Sequence, residues 1–171
     1  MTLLGRVSAT LDVWGVPNAL IGAAALAAAG VARSSFDVDL LVTDGRVLDG
    51  KRWDALGWSD ASIDVRRGDA DDPLAGVVRI ESRSERPVDV IVGRHVWQAR
   101  AIERARRTPG SPPVVQPRDL VLLKLYAGGT QDLWDVRELL RVRGDSLAAE
   151  VEEDLRTLPP SMWEAWTRAR R

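Results

Sequence analysis

The sequence predicts a mixed α/β fold: a central mixed sheet flanked by helices, followed by a helical C-terminal part. Three observations predict it. Phe36 to Val42 reads as a strand that turns apolar at its far end. Three further strand-like runs follow, Ser62–Val65, Gly76–Ile80 and Val88–Val92, separated by turn-forming residues. From Pro117 onward the chain carries helix signals only.

Taken in order, residues 2–14 form an amphipathic helix, with Leu3, Leu4, Val7, Leu11 and Trp14 on roughly one face. Gly15-Val16-Pro17-Asn18 breaks it. Ala19-Leu20-Ile21 is a short strand, and Ala23 to Ala29 a helix, because alanine is the best helix former; Gly30 stops it. Asp44-Gly45 turns the chain into a helix over 46–57. After the three strands, His95 to Arg107 reads as a helix and Pro109 to Pro113 as a loop. Pro117 opens a helix running through Lys124, Gly128-Gly129-Thr130 interrupts, and a second helix covers 131–142. Two short helices fill the tail, parted by Pro159-Pro160. The expected division is a sheet-and-helix core over 1–115 and a helical extension over 116–171.

Composition narrows the chemistry. The chain has 171 residues, 45% of them hydrophobic, enough for one domain with a real core. It has no cysteine and one histidine, His95, so disulfides, thiolate zinc sites and His-rich metal sites are excluded. A bound metal would be held by oxygen, which points to Mg²⁺ or Mn²⁺. The net charge of −1 argues against a polycation built for nucleic acid. Only Lys51 and Lys124 are lysine among many arginines, which singles out Lys124. The apolar stretch Ala19 to Ala29 is too short and too weakly hydrophobic to span a membrane, and a cytoplasmic protein is expected.

The chemistry-bearing pattern starts with Asp37 and Asp39. Residues two apart on a strand share a face, so two carboxylates sit side by side and favour a bound cation. The plain alternative is a solvated strand end. Asp89 lies inside Val88-Asp89-Val90-Ile91-Val92, where an aspartate is costly unless paired or metal-bound. Neighbouring strands would bring the three carboxylates together. Gly22 stands at a strand-to-helix turn, where backbone can approach a phosphate; the alternative is a simple turn. Asp69-Ala70-Asp71-Asp72 reads as a solvated turn, and the arginines of 94–107 as solvated helix surface. The seven tryptophans are core or interface candidates.

The stretch Leu20-Ile21-Gly22-Ala23-Ala24-Ala25-Leu26 through Gly30, Arg33, Ser35, Asp37 and Asp39 resembles the signature of the DNA polymerase β-like nucleotidyltransferases. Within them it is similar to the small bacterial branch related to abortive-infection and toxin nucleotidyltransferases. Pro117-Arg118-Asp119-Leu120 to Lys124, then Asp132 and Asp135, resembles that branch's helical segment, although Gln131 stands where a basic residue is usual. The resemblance covers roughly residues 18–142 as ordered motifs.

It implies a nucleotidyltransferase fold and transfer of a nucleoside monophosphate from a nucleoside triphosphate to an acceptor hydroxyl on RNA, protein or a small molecule. Asp37, Asp39 and Asp89 would be catalytic and would hold Mg²⁺ or Mn²⁺. Gly22, Ala23, Arg33, Ser35, Lys124 and Asp132 would bind the nucleotide. Arg33 has a second reading as an ion-pair partner of Asp37 or Asp89, and Lys124 as a side chain extending from an apolar helix. Asp132 and Asp135 would orient Lys124 or Arg33, or cap their helix. Ala23 stands where the family has Gly or Ser, which supports an alternative: a weak or inactive protein of the same fold that binds a nucleotide or a partner. An antitoxin is a candidate partner. A third reading, an Asp-x-Asp glycosyltransferase, leaves Gly22 unexplained.

Overall fold

The computed structural model describes the whole chain, Met1–Arg171. The backbone divides into two compact units, one of residues 1–24 and 34–115, the other of residues 25–33 and 116–171.

The first unit is built on a seven-stranded sheet. Its strands are β1 (Ala19–Leu20), β2 (Val38–Val42), β3 (Ala61–Arg67), β4 (Gly76–Ser82), β5 (Val88–Val92), β6 (Arg106–Thr108) and β7 (Ser111–Val114), in the order β3-β4-β5-β2-β1-β7-β6. The sheet is mixed: β2 runs parallel to β5 and β1 parallel to β7, and the other pairs are antiparallel. Strand alternation sends Leu40, Val42, Val78, Ile80, Val88, Val90 and Val92 to one face, all buried. Against them pack Leu3, Val7 and Leu11 of α1 (Leu3–Val13), which the Thr2 hydroxyl caps by accepting from the Gly5 N–H.

Trp53 closes the same core. It is fully buried in α3 (Gly50–Asp54), its indole N–H donates to the Val47 carbonyl at 2.8 Å, and its ring meets Trp14 edge-on at 4.8 Å and Trp58 at 6.3 Å. Arg52 lies over Trp14 and Arg6 over Trp58, each 4.3 Å from the ring centre. The helix expected over 46–57 is split. A 3₁₀ turn at Gly45–Leu48 ends at Asp49, whose carboxylate accepts from the Lys51 N–H and starts α3 afresh. The remaining helices of this part of the chain are α2 (Gly22–Ala28), which begins at the sheet, and α4 (Val96–Glu103).

The helix expected over 95–107 ends at Glu103; Arg106–Thr108 instead pairs with Ser111–Val114 as an edge hairpin. Arg106, Arg107 and Thr108 are all exposed there, so no apolar alternation marks them as strand.

The second unit holds α5 (Pro117–Ala127), α6 (Thr130–Arg143), α7 (Asp145–Leu155) and α8 (Pro160–Ala169). Pro117 occupies the first turn of α5, and Gly128 ends it in a left-handed conformation at φ +68°. Leu122, Leu125, Val136, Leu139, Val151, Met162 and Trp166 are buried among these helices. No helix in the chain is long and apolar enough to cross a membrane.

Candidate active site

The second face of the sheet is polar where the first is apolar. Strand register places Asp39 on β2 opposite Asp89 on β5, Asp89 opposite Arg79 on β4, and Arg79 opposite Asp64 on β3. Directly opposed residues share a face, so four charged side chains form one row across four strands. The next row on this face, Leu41, Ile91 and Val77, is apolar on three strands and ends on Arg66 of β3.

Each carboxylate of the row has a distinct setting. The Asp39 carboxylate, from β2, lies against the turn between β1 and α2. A Cβ on Gly22 would stand 2.0 Å from Asp39 Oδ2, and Gly22 itself sits at φ +60°. Glycine is therefore required twice, once by the left-handed backbone and once by the carboxylate lying on its Cα. The same turn is closed by the Ile21 N–H, which donates to the Asp39 carbonyl at 3.0 Å. Asp37 accepts a 2.6 Å hydrogen bond from the Ser35 hydroxyl. That bond holds its carboxyl below the usual aspartate range against the opposing effect of burial, with the Arg79 charge adding to the lowering. Asp89 is shifted the other way. Burial raises its pKa, the Arg79 guanidinium opposes the rise, and the charge of Asp37 adds to it.

Arg79 joins these groups. Its Nη1 lies 2.8 Å and 3.1 Å from the two Asp89 oxygens and 3.6 Å from Asp37 Oδ2, while its Nε donates to Glu81 at 2.8 Å. The sequence reading missed Arg79. Within Gly76-Val77-Val78-Arg79-Ile80 it is an ordinary outward-facing strand residue, and only the register with β5 brings it to Asp89. The guanidinium lies between two of the three predicted carboxylates. No three acidic or histidine side chains are gathered closely enough to hold a metal ion.

The predicted residues of the second unit meet in a separate network. Lys124 Nζ lies 2.8 Å from both Asp132 Oδ1 and Asp135 Oδ2. Arg33 pairs with Asp135, and Gln131 donates to it at 3.3 Å. Asp135 is fully buried, and two cations offset its charge. Asp132 also accepts from the Gly129 N–H at 3.3 Å, at the start of α6. Arg33 is thus bound to Asp135 on α6, one of the two acids expected to orient it, and not to Asp37 or Asp89.

Asp39 thus lies against Gly22 at a strand-to-helix turn and opposite Asp89 on the neighbouring strand, and the fold around them is the nucleotidyltransferase fold. The structure matches the solution structure of the antibiotic-resistance factor ANT(2'')-Ia with a TM-score of 0.57 at 16% identity, over 89% of this chain and 88% of that one. It matches the crystal structure of ANT(2'')-Ia in complex with adenylyl-2''-tobramycin with a TM-score of 0.55 at 16% identity, over 97% and 96% of the two chains. No family model and no curated protein matches the sequence. At 16% identity the likeness establishes the fold.

Proposed function

We propose that this protein is a metal-dependent nucleotidyltransferase that moves a nucleoside monophosphate from a nucleoside triphosphate to an acceptor hydroxyl and releases pyrophosphate. The observation that carries the reading is the register of Asp39 on Asp89, with Gly22 beneath Asp39. A protein of the same fold is crystallised with an adenylyl-bearing ligand, which supports this class of transfer.

By its chemistry the donor set suits a hard cation, although the three carboxylates are not gathered around one point and Arg79 holds both oxygens of Asp89. The set is all oxygen, and Asp37, held low by Ser35, stays ionised at neutral pH. Asp37 and Asp39 would hold Mg²⁺ or Mn²⁺, and Asp89 would join them as the third carboxylate only on release from Arg79. Such an ion neutralises charge on the triphosphate oxygens. The chain's own groups supply the rest. Gly22 and Ala23 offer backbone N–H groups free of large side chains. Ser35 fixes the Asp37 carboxylate, and Arg79 fixes that of Asp89. Asp89 receives the acceptor's proton as the hydroxyl oxygen bonds to the α-phosphorus. The bond from that phosphorus to the bridging oxygen breaks, and pyrophosphate leaves with the electron pair. Arg33, Lys124 and Asp132 are proposed to bind nucleotide.

Incubation with each of the four labelled nucleoside triphosphates and Mg²⁺ or Mn²⁺, with candidate acceptors, tests this. Labelled product should form with the natural chain and not with Asp39→Asn. The absence of metal-dependent binding and of transfer with all four nucleotides would refute the proposal.

A second reading is favoured by two features: Ala23 in place of Gly or Ser, and the grip of Arg79 on both oxygens of Asp89. It is a nucleotide- or partner-binding protein of the same fold without turnover. Thermal stabilisation by a nucleotide with no product would favour it. A toxin-type role with an antitoxin partner belongs to either reading and rests on the motif resemblance.

A further inference from the structure

β3 is an outer strand of the sheet, bonded to β4 on one side and to no strand on the other. It runs for seven residues, Ala61-Ser62-Ile63-Asp64-Val65-Arg66-Arg67, with no proline and no shift of register against β4. Outer strands are usually kept from adding a further strand by being short, bulged or broken by proline, or by carrying charge. Only the last applies here. The open backbone groups of β3 follow from its ladder. The Gly68 N–H donates to the Ala75 carbonyl at 2.9 Å, so at Gly68 the backbone faces β4. In an antiparallel ladder, alternate residues turn their N–H and C=O to the same side. Ser62, Asp64 and Arg66 therefore bond to β4, and Ile63, Val65 and Arg67 turn their backbone groups to the open edge.

The charges on this edge are of both signs. Asp64 and Arg66 lie on the polar face, on either side of Val65, and both side chains are more than half exposed. Within the chain they pair with each other at 2.7 Å, a contact that contributes little at such exposure and exchanges readily. Ile63 and Val65 lie on the other face, half-buried at the rim of the core. Charges of one sign would repel a second copy of the strand. Opposite signs at mirrored positions about Val65 attract it. A two-fold axis at Val65 sets Val65 against Val65, Ile63 against Arg67, and Asp64 against Arg66 of the other copy. The open backbone groups of Ile63, Val65 and Arg67 then meet in opposed pairs, and each Asp64 gains a cross-strand cation. Moving the axis by one residue sets Asp64 on Asp64 or Arg66 on Arg66, which is unfavourable. Charge thus selects one register.

We infer that β3 is a self-association edge: it pairs antiparallel with β3 of a second copy of this chain about Val65, and the two sheets become one. The occupant is a second copy because the charge pattern of the strand complements itself. The two-fold axis stands normal to the sheet, so the polar faces of both copies lie on the same side. The row Asp39, Asp89, Arg79 and Asp64 then runs on to Arg66 of the second copy. The association depends on the edge of the sheet alone and holds whether or not nucleotide transfer occurs.

Sedimentation velocity of the full chain over a range of concentrations tests this. The natural chain should show a concentration-dependent dimer. Asp64→Arg places two cations together at both ends of the contact, and Arg66→Asp places two acids there. Each should weaken dimerisation on the order of tenfold or more. Both positions are exposed, so thermal unfolding of each variant should stay cooperative. An equimolar mixture of the two variants should recover a dimer, now a heterodimer, because opposite signs again face each other at both ends. The chain carrying both exchanges, Asp64→Arg with Arg66→Asp, should dimerise as the natural chain does. A natural chain that stays monomeric at every concentration overturns the proposal. So does a dimer that neither reversal weakens, or a pair of reversed chains that do not associate when mixed.

Discussion

Arg79 and Asp89 face each other across β4 and β5, and one guanidinium nitrogen holds both carboxylate oxygens, at 2.8 Å and 3.1 Å. The two carboxyls that Arg79 touches are shifted in opposite directions, although the guanidinium lowers both. Asp37 lies below the usual aspartate value, chiefly through Ser35, and Asp89 above it, chiefly through burial. In carboxyl carbon NMR the two should titrate in that order. Arg79→Met removes an attraction that lowers both, so both should move up. The stability signs are opposite. The depressed Asp37 contributes stability above its unfolded-state pKa, lost as pH falls through the folded value. The raised Asp89 costs stability once pH rises past its unfolded-state value. A titration with Asp37 above Asp89 would contradict the geometry.

Gly22→Ala should damage the site more than its size suggests. The left-handed backbone costs about 1–2 kcal/mol with a Cβ, and that Cβ falls 2.0 Å from Asp39 Oδ2. The carboxylate has to move, so nucleotide-dependent thermal stabilisation should be lost along with a modest drop in Tm. Ala23→Ser is the contrasting variant. It restores the hydroxyl of the family pattern with no backbone cost, and under the transfer reading it should raise nucleotide affinity without lowering Tm.

The parts of this site that could be read in the sequence are those carried by a single segment. Val88-Asp89-Val90-Ile91-Val92 is a strand over the full range expected, because a continuous β-branched run with one acid has few other homes. The strand expected over Phe36–Val42 begins only at Val38, so Asp37 stands in the bend before it and is placed by Ser35 and Arg79 rather than by strand alternation. What stayed hidden depends on register or on exposed edges. Arg79 gains its meaning only from a partner ten residues away in sequence, set by a hairpin whose length the loop composition does not fix. The β6–β7 hairpin is exposed and carries Pro112 and Pro113, which an edge strand tolerates and a pattern search rejects. The split at Asp49 turned on one capping carboxylate inside an apparently continuous helix.

Trp53 should be the costliest single core truncation in the sheet unit. It is fully buried, makes two edge-on aromatic contacts and donates to the Val47 carbonyl. Trp53→Ala should lose about 3–5 kcal/mol in urea unfolding. Trp53→Phe keeps the ring contact but leaves the Val47 carbonyl without its donor, so it should lose less, about 1–3 kcal/mol. Equal losses would mean that the hydrogen bond, not the packing, dominates.

Asp135 gives the sharpest contrast between structure and function in the helical unit. Its carboxylate is fully buried between Lys124 and Arg33. Removing one partner of a buried ion pair leaves uncompensated charge, a loss of about 3–5 kcal/mol. Asp135→Ala should therefore lower Tm strongly with or without nucleotide. Lys124→Met leaves both Asp132 and Asp135 short of a cation, with Arg33 still paired to Asp135, so its stability loss should be smaller than that of Asp135→Ala. The nucleotide shift then separates the two roles proposed for the lysine. If Lys124 serves the triphosphate, the thermal stabilisation by nucleotide should shrink in Lys124→Met beyond the change in baseline Tm. An unchanged nucleotide shift on a lowered baseline would assign the lysine wholly to the α5–α6 contact.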